Sequence, residues 1–158
     1  MTASLAIYGA LGIASIVLAA WGNRHLFVGG GAGRVTVLEA TYYALGIASL
    51  VLGWYFNVRY THAVGSGATY VNFTKALFAN WAADSEAQDY IIVNLALFPL
   101  WSISEGRRKG VAIPWIFFVM SLFTSLAFAV AAFLAVAERQ NRWNEAQRAE
   151  SSTSKPQL

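Results

Sequence analysis

The sequence predicts an all-α integral membrane protein, a four-helix transmembrane bundle, and three observations lead there. Hydrophobic residues make up 57% of the 158 positions and charged residues only 12%, about half the roughly 25% charge that covers an average soluble domain. Four long apolar runs are separated by polar segments. No stretch alternates apolar and polar residues as a transmembrane barrel strand must, and helices satisfy their own backbone hydrogen bonds in lipid. The predicted spans cover about residues 4–22, 36–57, 89–105 and 113–137, with a short interfacial helix between the second and third. A polar helical extension and a disordered tail, SSTSKPQL, fill 141–158.

The same composition excludes whole classes of function. Without any cysteine there is no disulfide framework, thiol nucleophile, Cys-ligated zinc or iron–sulfur cluster. The net charge of +3 comes from 11 basic residues scattered through loops and flanks. Such loop charge records membrane topology, so no nucleic-acid partner is predicted. No G-x-S-x-G, H-E-x-x-H, phosphate loop or dinucleotide fingerprint is present, which argues against most familiar enzymes. An intramembrane acid–base enzyme, needing one or two carboxylates in an apolar cavity, stays open.

The first run, Leu5 to Trp21, has the length of a span, since about 20 residues at 1.5 Å each cross a 30 Å core. A cleaved signal peptide is the competing reading, but no Lys or Arg precedes the run. FVGGGAGR then makes a flexible turn, and Val35 to Asn57 returns as the second span. These two helices repeat each other. A shift of 34 residues places Tyr8 over Tyr42, ALGIAS at 10–15 over ALGIAS at 44–49, and Asn23 over Asn57. Ala6, Ala10 and Ala14, and likewise Ala40, Ala44 and Ala48, lie four apart, a spacing that lets helix backbones approach closely in lipid. Both faces are expected to be buried against other helices.

Residues 58–87 are too polar to span. Within them Tyr70, Phe73, Leu77, Phe78 and Trp81 share one helical face, which reads as a helix lying in the headgroups or a lid on the bundle mouth. The third run, Tyr90 to Ser104, covers only about 22 Å, so Asp89 and Glu105 must lie near the hydrocarbon boundary. Pro99 predicts a kink between Asn94 and Pro99. In the last run, Gly110 to Ala137, Pro114 suits the first turn of a helix beginning near Ile113, with Trp115 at the interface. Four spans leave Arg24, Arg34, Arg107, Arg108 and Lys109 on one side, and Arg59, Lys75, Arg139, Arg142, Arg148 and Lys155 on the other. Five against six does not orient the chain.

Ionisable groups at membrane depth are functional candidates. Glu39 is one, with Arg34 or Arg24 as expected partner, and it reads as a structural ion pair or a coupling-ion site. Small four-helix multidrug exporters carry such a glutamate in their first helix, where this chain has none. Asp84, Glu86 and Asp89 form the acidic cluster. Hard-cation binding is one reading, and N-capping of the third helix by Asp84 or Ser85 is the other. Glu105, Arg107, Arg108 and Lys109 stop the third helix and suit lipid phosphates. Asn94 is the polar side chain deep in a span and reads as interhelical glue. His25 and His62 emerge on opposite faces under four spans, so no metal site is predicted.

FANWAADSEAQDYIIVNLALFPLWSISEGRRKGVAIPW and FLAVAERQ carry a resemblance. The order of an FxxN-like segment (Phe78, Asn80), an acidic helix start (Asp89), an E-G-R-R-x-G-type turn (Glu105, Gly106, Arg107, Arg108, Gly110), a Pro114-Trp115 entry and a Glu138-Arg139 flank resembles a family of small bacterial membrane proteins, domain of unknown function 2834. The likeness covers about residues 42–140. It implies about three spans, a location in the bacterial cytoplasmic membrane, and an added first helix copied from the second. It implies no activity.

The predicted function is therefore a non-catalytic subunit or scaffold that packs through Ala10, Ala14, Ala44 and Ala48 against itself or a larger membrane complex, with lipid or hydrophobic-cofactor contacts. The alternative is a membrane enzyme or carrier for a lipid or isoprenoid, with Asp84, Asp89, Glu105, Arg107 and Arg108 at the bundle mouth. No particular cofactor is implied.

Overall fold

The structure, a computed structural model, describes residues 3–28 and 32–153. Among these residues it is helical, without strands. Helix α1 runs over Ala3–Gly22, α2 over Val37–Val64, α3 over Tyr70–Ala76, α4 over Trp81–Ile92, α5 over Phe98–Lys109, α6 over Ile116–Phe123 and α7 over Leu126–Thr153. Two of them are long and apolar enough to cross a membrane, within Leu5–Gly22 and Val37–Gly67. Of the expected disordered tail, SSTSKPQL, Ser151–Thr153 are instead the last turn of α7, because the polar helix continues into them; 154–158, like Gly29–Gly31 of the glycine turn, lie outside the described residues.

Helices α4 and α5 form one rod joined by a π-helical segment at Val93–Leu97. The widened turn lies where the kink is expected, because Pro99 has no N–H to give the preceding turn. The rod begins earlier than predicted. Its N-cap is Asn80, whose Oδ1 accepts from the Ala82 and Ala83 amides at 3.1 Å; Asp84 and Ser85 lie inside the first turns and do not cap it. Asn80→Ala is expected to lower stability by about 1 kcal/mol, read from unfolding in detergent. At the other end Gly110, at φ 86°, closes α5 as a left-handed C-cap.

The run 110–137 is not one span. Ile113 takes φ 52°, which prevents a helix from starting there, and α6 begins at Ile116. It stops after eight residues, about 12 Å, and the chain folds back at Thr124–Ser125. The return is fixed by hydroxyls: Thr124 Oγ1 donates to the Met120 carbonyl at 2.7 Å, and Ser125 Oγ accepts from the Phe128 amide at 3.1 Å. Phe117 and Phe133 then meet edge to face at 5.4 Å, so α6 and α7 are an antiparallel hairpin. Buried Ile116, Phe117 and Met120, together with Phe133 and Ala137 on α7, make its core. The expectation of one continuous helix over 113–137 is corrected accordingly: the run forms two antiparallel helices.

Helix α1 lies against α6. A Cβ on Gly12 would sit 2.8 Å from the Phe123 carbonyl oxygen, and one on Gly22 would sit 3.0 Å from Ile113 Cδ1. Helix α2 runs antiparallel to α7, with Gly46 against Ala131 and Ser49 Oγ 2.7 Å from Ser125 Oγ. The repeat thus supplies its contacts through Gly12 and Gly46, and through Ser15 and Ser49. Ala10, Ala14, Ala44 and Ala48 are exposed on the chain's exterior. The intrachain packing faces sit beside the predicted alanine faces because glycine removes the last methyl where two backbones meet.

The hairpin also decides which loops share an end. The 23–36 and 110–115 segments lie at the end where α7 carries Arg139 and Arg142, for Asn23 bonds the Ala112 backbone in both directions (2.9 and 3.2 Å) and His25 packs on Trp143. Residues 68–91 and the 124–125 turn share the opposite end.

Candidate functional site

Two polar constellations stand out, one at each end. At the basic end, the α2 entry T-V-L-E puts Thr36 at the N-cap, accepting from the Glu39 amide at 3.1 Å. Glu39 itself is 0% exposed. Its carboxylate is bound by both Arg139 and Arg142, and Tyr43 donates its hydroxyl at 2.8 Å. The expected partners Arg34 and Arg24 are not the ones used. Residues 139 and 142 share a face of α7, which lies antiparallel to α2, whereas Arg34 contributes its backbone carbonyl to Arg142 at 2.6 Å. Arg139 further donates to the Leu26 carbonyl at 2.8 Å and lies 4.6 Å over the Phe27 ring, while Arg142 donates to the Ala32 carbonyl at 2.7 Å. With both carboxylate oxygens and several loop carbonyls engaged, this cluster ties the first loop to α2 and α7 as an anchor does.

At the opposite end lies a partly open cavity of about 640 Å³. Its walls are aromatic: Tyr8 from α1, Trp54 and Tyr60 from α2, Tyr70 and Phe73 from α3, Tyr90 from α4 and Phe123 from α6. Tyr8 faces Tyr70 at 6.2 Å and 61°, and Tyr60 meets Phe73 at 5.3 Å and 85°. Trp54 reaches its place because Gly9 has no side chain; a Cβ there would lie 2.7 Å from the indole. The aromatic stripe predicted over 70–81 is divided between two helices. Tyr70, Phe73 and Leu77 line the cavity, but α3 ends at Ala76, so Trp81 falls on the next helix and is 90% exposed.

Polar groups converge on the floor. Asn94, buried in the π-helical segment, accepts from Ser121 Oγ at 2.6 Å and donates Nδ2 to the Tyr90 hydroxyl at 3.1 Å. Tyr90 therefore accepts there and keeps its own proton to give. Asn57, Glu86 and several Ser and Thr hydroxyls add to the polar lining. A π-helical turn inside an α-helix is a frequent mark of a functional site, and here it places the asparagine between cavity and hairpin.

Of the five residues predicted to share the bundle mouth, Glu105 and Arg108 meet, while Asp84 and Asp89 lie at the other end of the rod. Asp84 and Asp89 are on α4 near the cavity end, and Gln88 donates to Asp89 at 2.6 Å. Glu105 is 21 residues further along the rod than Asp84, about 30 Å away. It pairs with Arg108 at 2.6 Å and Lys109 at 3.3 Å, and the carboxylate raises the basicity of the Arg108 guanidinium; Arg107 is exposed. Among the described residues no three His, Asp or Glu side chains gather as a metal site.

Two long apolar helices, an arginine-locked carboxylate and an aromatic cavity define the chain as all-helical over its described residues. The chain belongs to the family described as "Protein of unknown function DUF2834", whose family model matches residues 41–139. Helix α1 lies before the matched region. No curated protein and no solved structure matches the chain.

Proposed function

We propose that this chain is an integral membrane protein that binds an amphipathic small molecule in the aromatic cavity and performs no chemistry on it. The cavity carries the reading. Its volume lies in the roughly 300–1,000 Å³ range of small-molecule sites, and an apolar lining with a few convergent polar groups is their usual composition. Its lining offers one carboxylate, Glu86, and no His, Lys or Cys, and no hydrogen bond joins that carboxylate to a lining hydroxyl as a base-activated nucleophile requires, so binding is the function it favours.

Membrane location is supported by how little of the apolar helices is covered. The hydrophobic windows of α1 and α2 are 22% and 11% buried, whereas the core helix of a water-soluble domain is mostly buried; side chains such as Ile13, Val17, Ile47 and Phe56 point outward. The hairpin also supports one orientation over the other. Arg24, Arg34, Arg107, Arg108, Lys109, Arg139, Arg142 and Arg148 gather at one end against Arg59 and Lys75 at the other, so the positive-inside rule puts the arginine anchor in the cytoplasm and the cavity toward the outer leaflet. A second reading, an accessory subunit of a larger complex in the bacterial inner membrane, is favoured by the outward alanines Ala10, Ala14, Ala44 and Ala48, which are free to meet helices of another chain.

Native mass spectrometry of protein extracted from its own membrane in mild detergent tests the proposal. A Cβ on Gly53 would touch only Ser125 Cβ, at 3.7 Å, so Gly53→Phe fills the cavity without a backbone clash. The wild type is expected to carry a defined small molecule. Gly53→Phe is expected to lose it, with stability altered by less than about 1 kcal/mol. A stoichiometric protein partner with an empty cavity would replace this reading with the accessory-subunit one.

A further inference from the structure

Building on that binding reading, we infer that the cavity selects a cationic head, a quaternary or protonated amine carried on an apolar tail. Glu86 is the one charged side chain among the lining residues, and no Lys, Arg or His faces the space. It makes no hydrogen bond or ion pair among the described residues, in contrast to Glu39 and Glu105, each of which is held by two basic side chains. Glu86 stands one helical turn before Tyr90 on α4, so its carboxylate and that ring share a face.

The rings complete the argument. The edge-to-face pairs Tyr8–Tyr70 and Tyr60–Phe73 set wall planes at 61° and 85° to each other, giving a small head several differently oriented π-systems to approach. Aromatic faces are the negative pole of the ring quadrupole and attract cations, most strongly where water is excluded. A neutral amphiphile would gain the same apolar burial but leave Glu86 without a counter-charge. An anionic head would meet that carboxylate with nothing to offset the repulsion.

Such a head could belong to a choline-type lipid or to a free single-chain amphiphile. Isothermal titration calorimetry on the full chain in maltoside detergent separates these sources with three soluble probes: choline as the ammonium, its neutral isostere with carbon in place of nitrogen, and phosphocholine. The ammonium is expected to bind about tenfold tighter than the isostere. Glu86→Gln, at an exposed position without partners, is expected to fold as the wild type does and to remove most of that discrimination while leaving the isostere's affinity unchanged. Phosphocholine binding as tight as the ammonium's assigns the head to a lipid; binding much weaker than the ammonium's assigns it to a free amphiphile. Equal affinity for ammonium and isostere overturns the charge selection and leaves the cavity reading standing. Undiminished discrimination in Glu86→Gln overturns it likewise, and binding of none of the three overturns both.

Discussion

Glu39→Gln is expected to destabilise the chain by about 3–5 kcal/mol, measured by denaturant unfolding in detergent, and this is the largest effect among the substitutions considered. The reason is asymmetry. The carboxylate is fully buried between Arg139 and Arg142, whose side chains are only 10% and 18% exposed. Neutralising it takes from Arg139 the carboxylate that it pairs with and leaves Arg142 only the looser contact with Glu138, 3.8 Å from its Nε. The loop carbonyls of Leu26, Ala32 and Arg34 are held by the same two arginines, so the loss spreads to the 23–36 connection. Glu39→Leu combined with Arg139→Met is expected to cost much less than the two single changes added together, because removing both partners leaves no orphan charge in the buried part of the cluster. A change below about 1 kcal/mol for Glu39→Gln would mean that the arginines are solvated and the anchor is open.

That anchor was half legible in the sequence. A lone glutamate one turn inside an apolar helix announced a buried charge, and the partner type, arginine, was also readable. Which arginines could not be read, because the choice depends on α7 lying beside α2. The deeper obstacle was the run 110–137. Its lack of charge reads as a single span, and hydropathy is blind to chain reversal; the reversal rests on two hydroxyls, Thr124 and Ser125, the second of which is an ordinary N-cap residue preceding L-A-F. Once the run folds back, Glu39 acquires Arg139 and Arg142, and the basic residues among the described ones divide eight against two between the two ends. The cavity was partly legible too. The stripe Tyr70, Phe73, Leu77 signalled an aromatic roof, and Asn94 with Pro99 signalled an irregular helix, but Tyr8, Trp54 and Tyr60 looked like ordinary apolar span residues. Their convergence requires α1, α2 and α3 to meet at one end, which no local pattern encodes. Glu86 was seen as one of three acids, with nothing to separate the one on the cavity wall from its neighbours.

Gly12→Val and Ala14→Leu, two positions apart on one helix, are expected to give opposite results. At Gly12 a Cβ would lie 2.8 Å from the Phe123 carbonyl oxygen and 3.1 Å from Thr124 Cγ2. The first contact is backbone at the tip of the α6–α7 hairpin and cannot rotate away, so valine must push α1 off the hairpin. Overpacking of this kind costs about 1–3 kcal/mol, and because Tyr8 and Phe123, stacked at 6.2 Å and 24°, both line the cavity, ligand occupancy in native mass spectrometry should fall with it. At Ala14 the side chain faces outward, so leucine should leave unfolding of the single chain within about 0.5 kcal/mol. The two hypotheses for the alanine faces then separate on a different readout. If Ala14→Leu and Ala48→Leu leave oligomer size unchanged in detergent, those faces meet only lipid and the accessory-subunit reading loses its support; if they reduce it, the repeat has two packing faces, a glycine–serine face turned inward and an alanine face turned toward another chain. Loss of stability in Ala14→Leu with a neutral Gly12→Val would instead place α1 in a different rotation about its axis, one that carries Tyr8 away from Phe123 and removes a wall of the cavity.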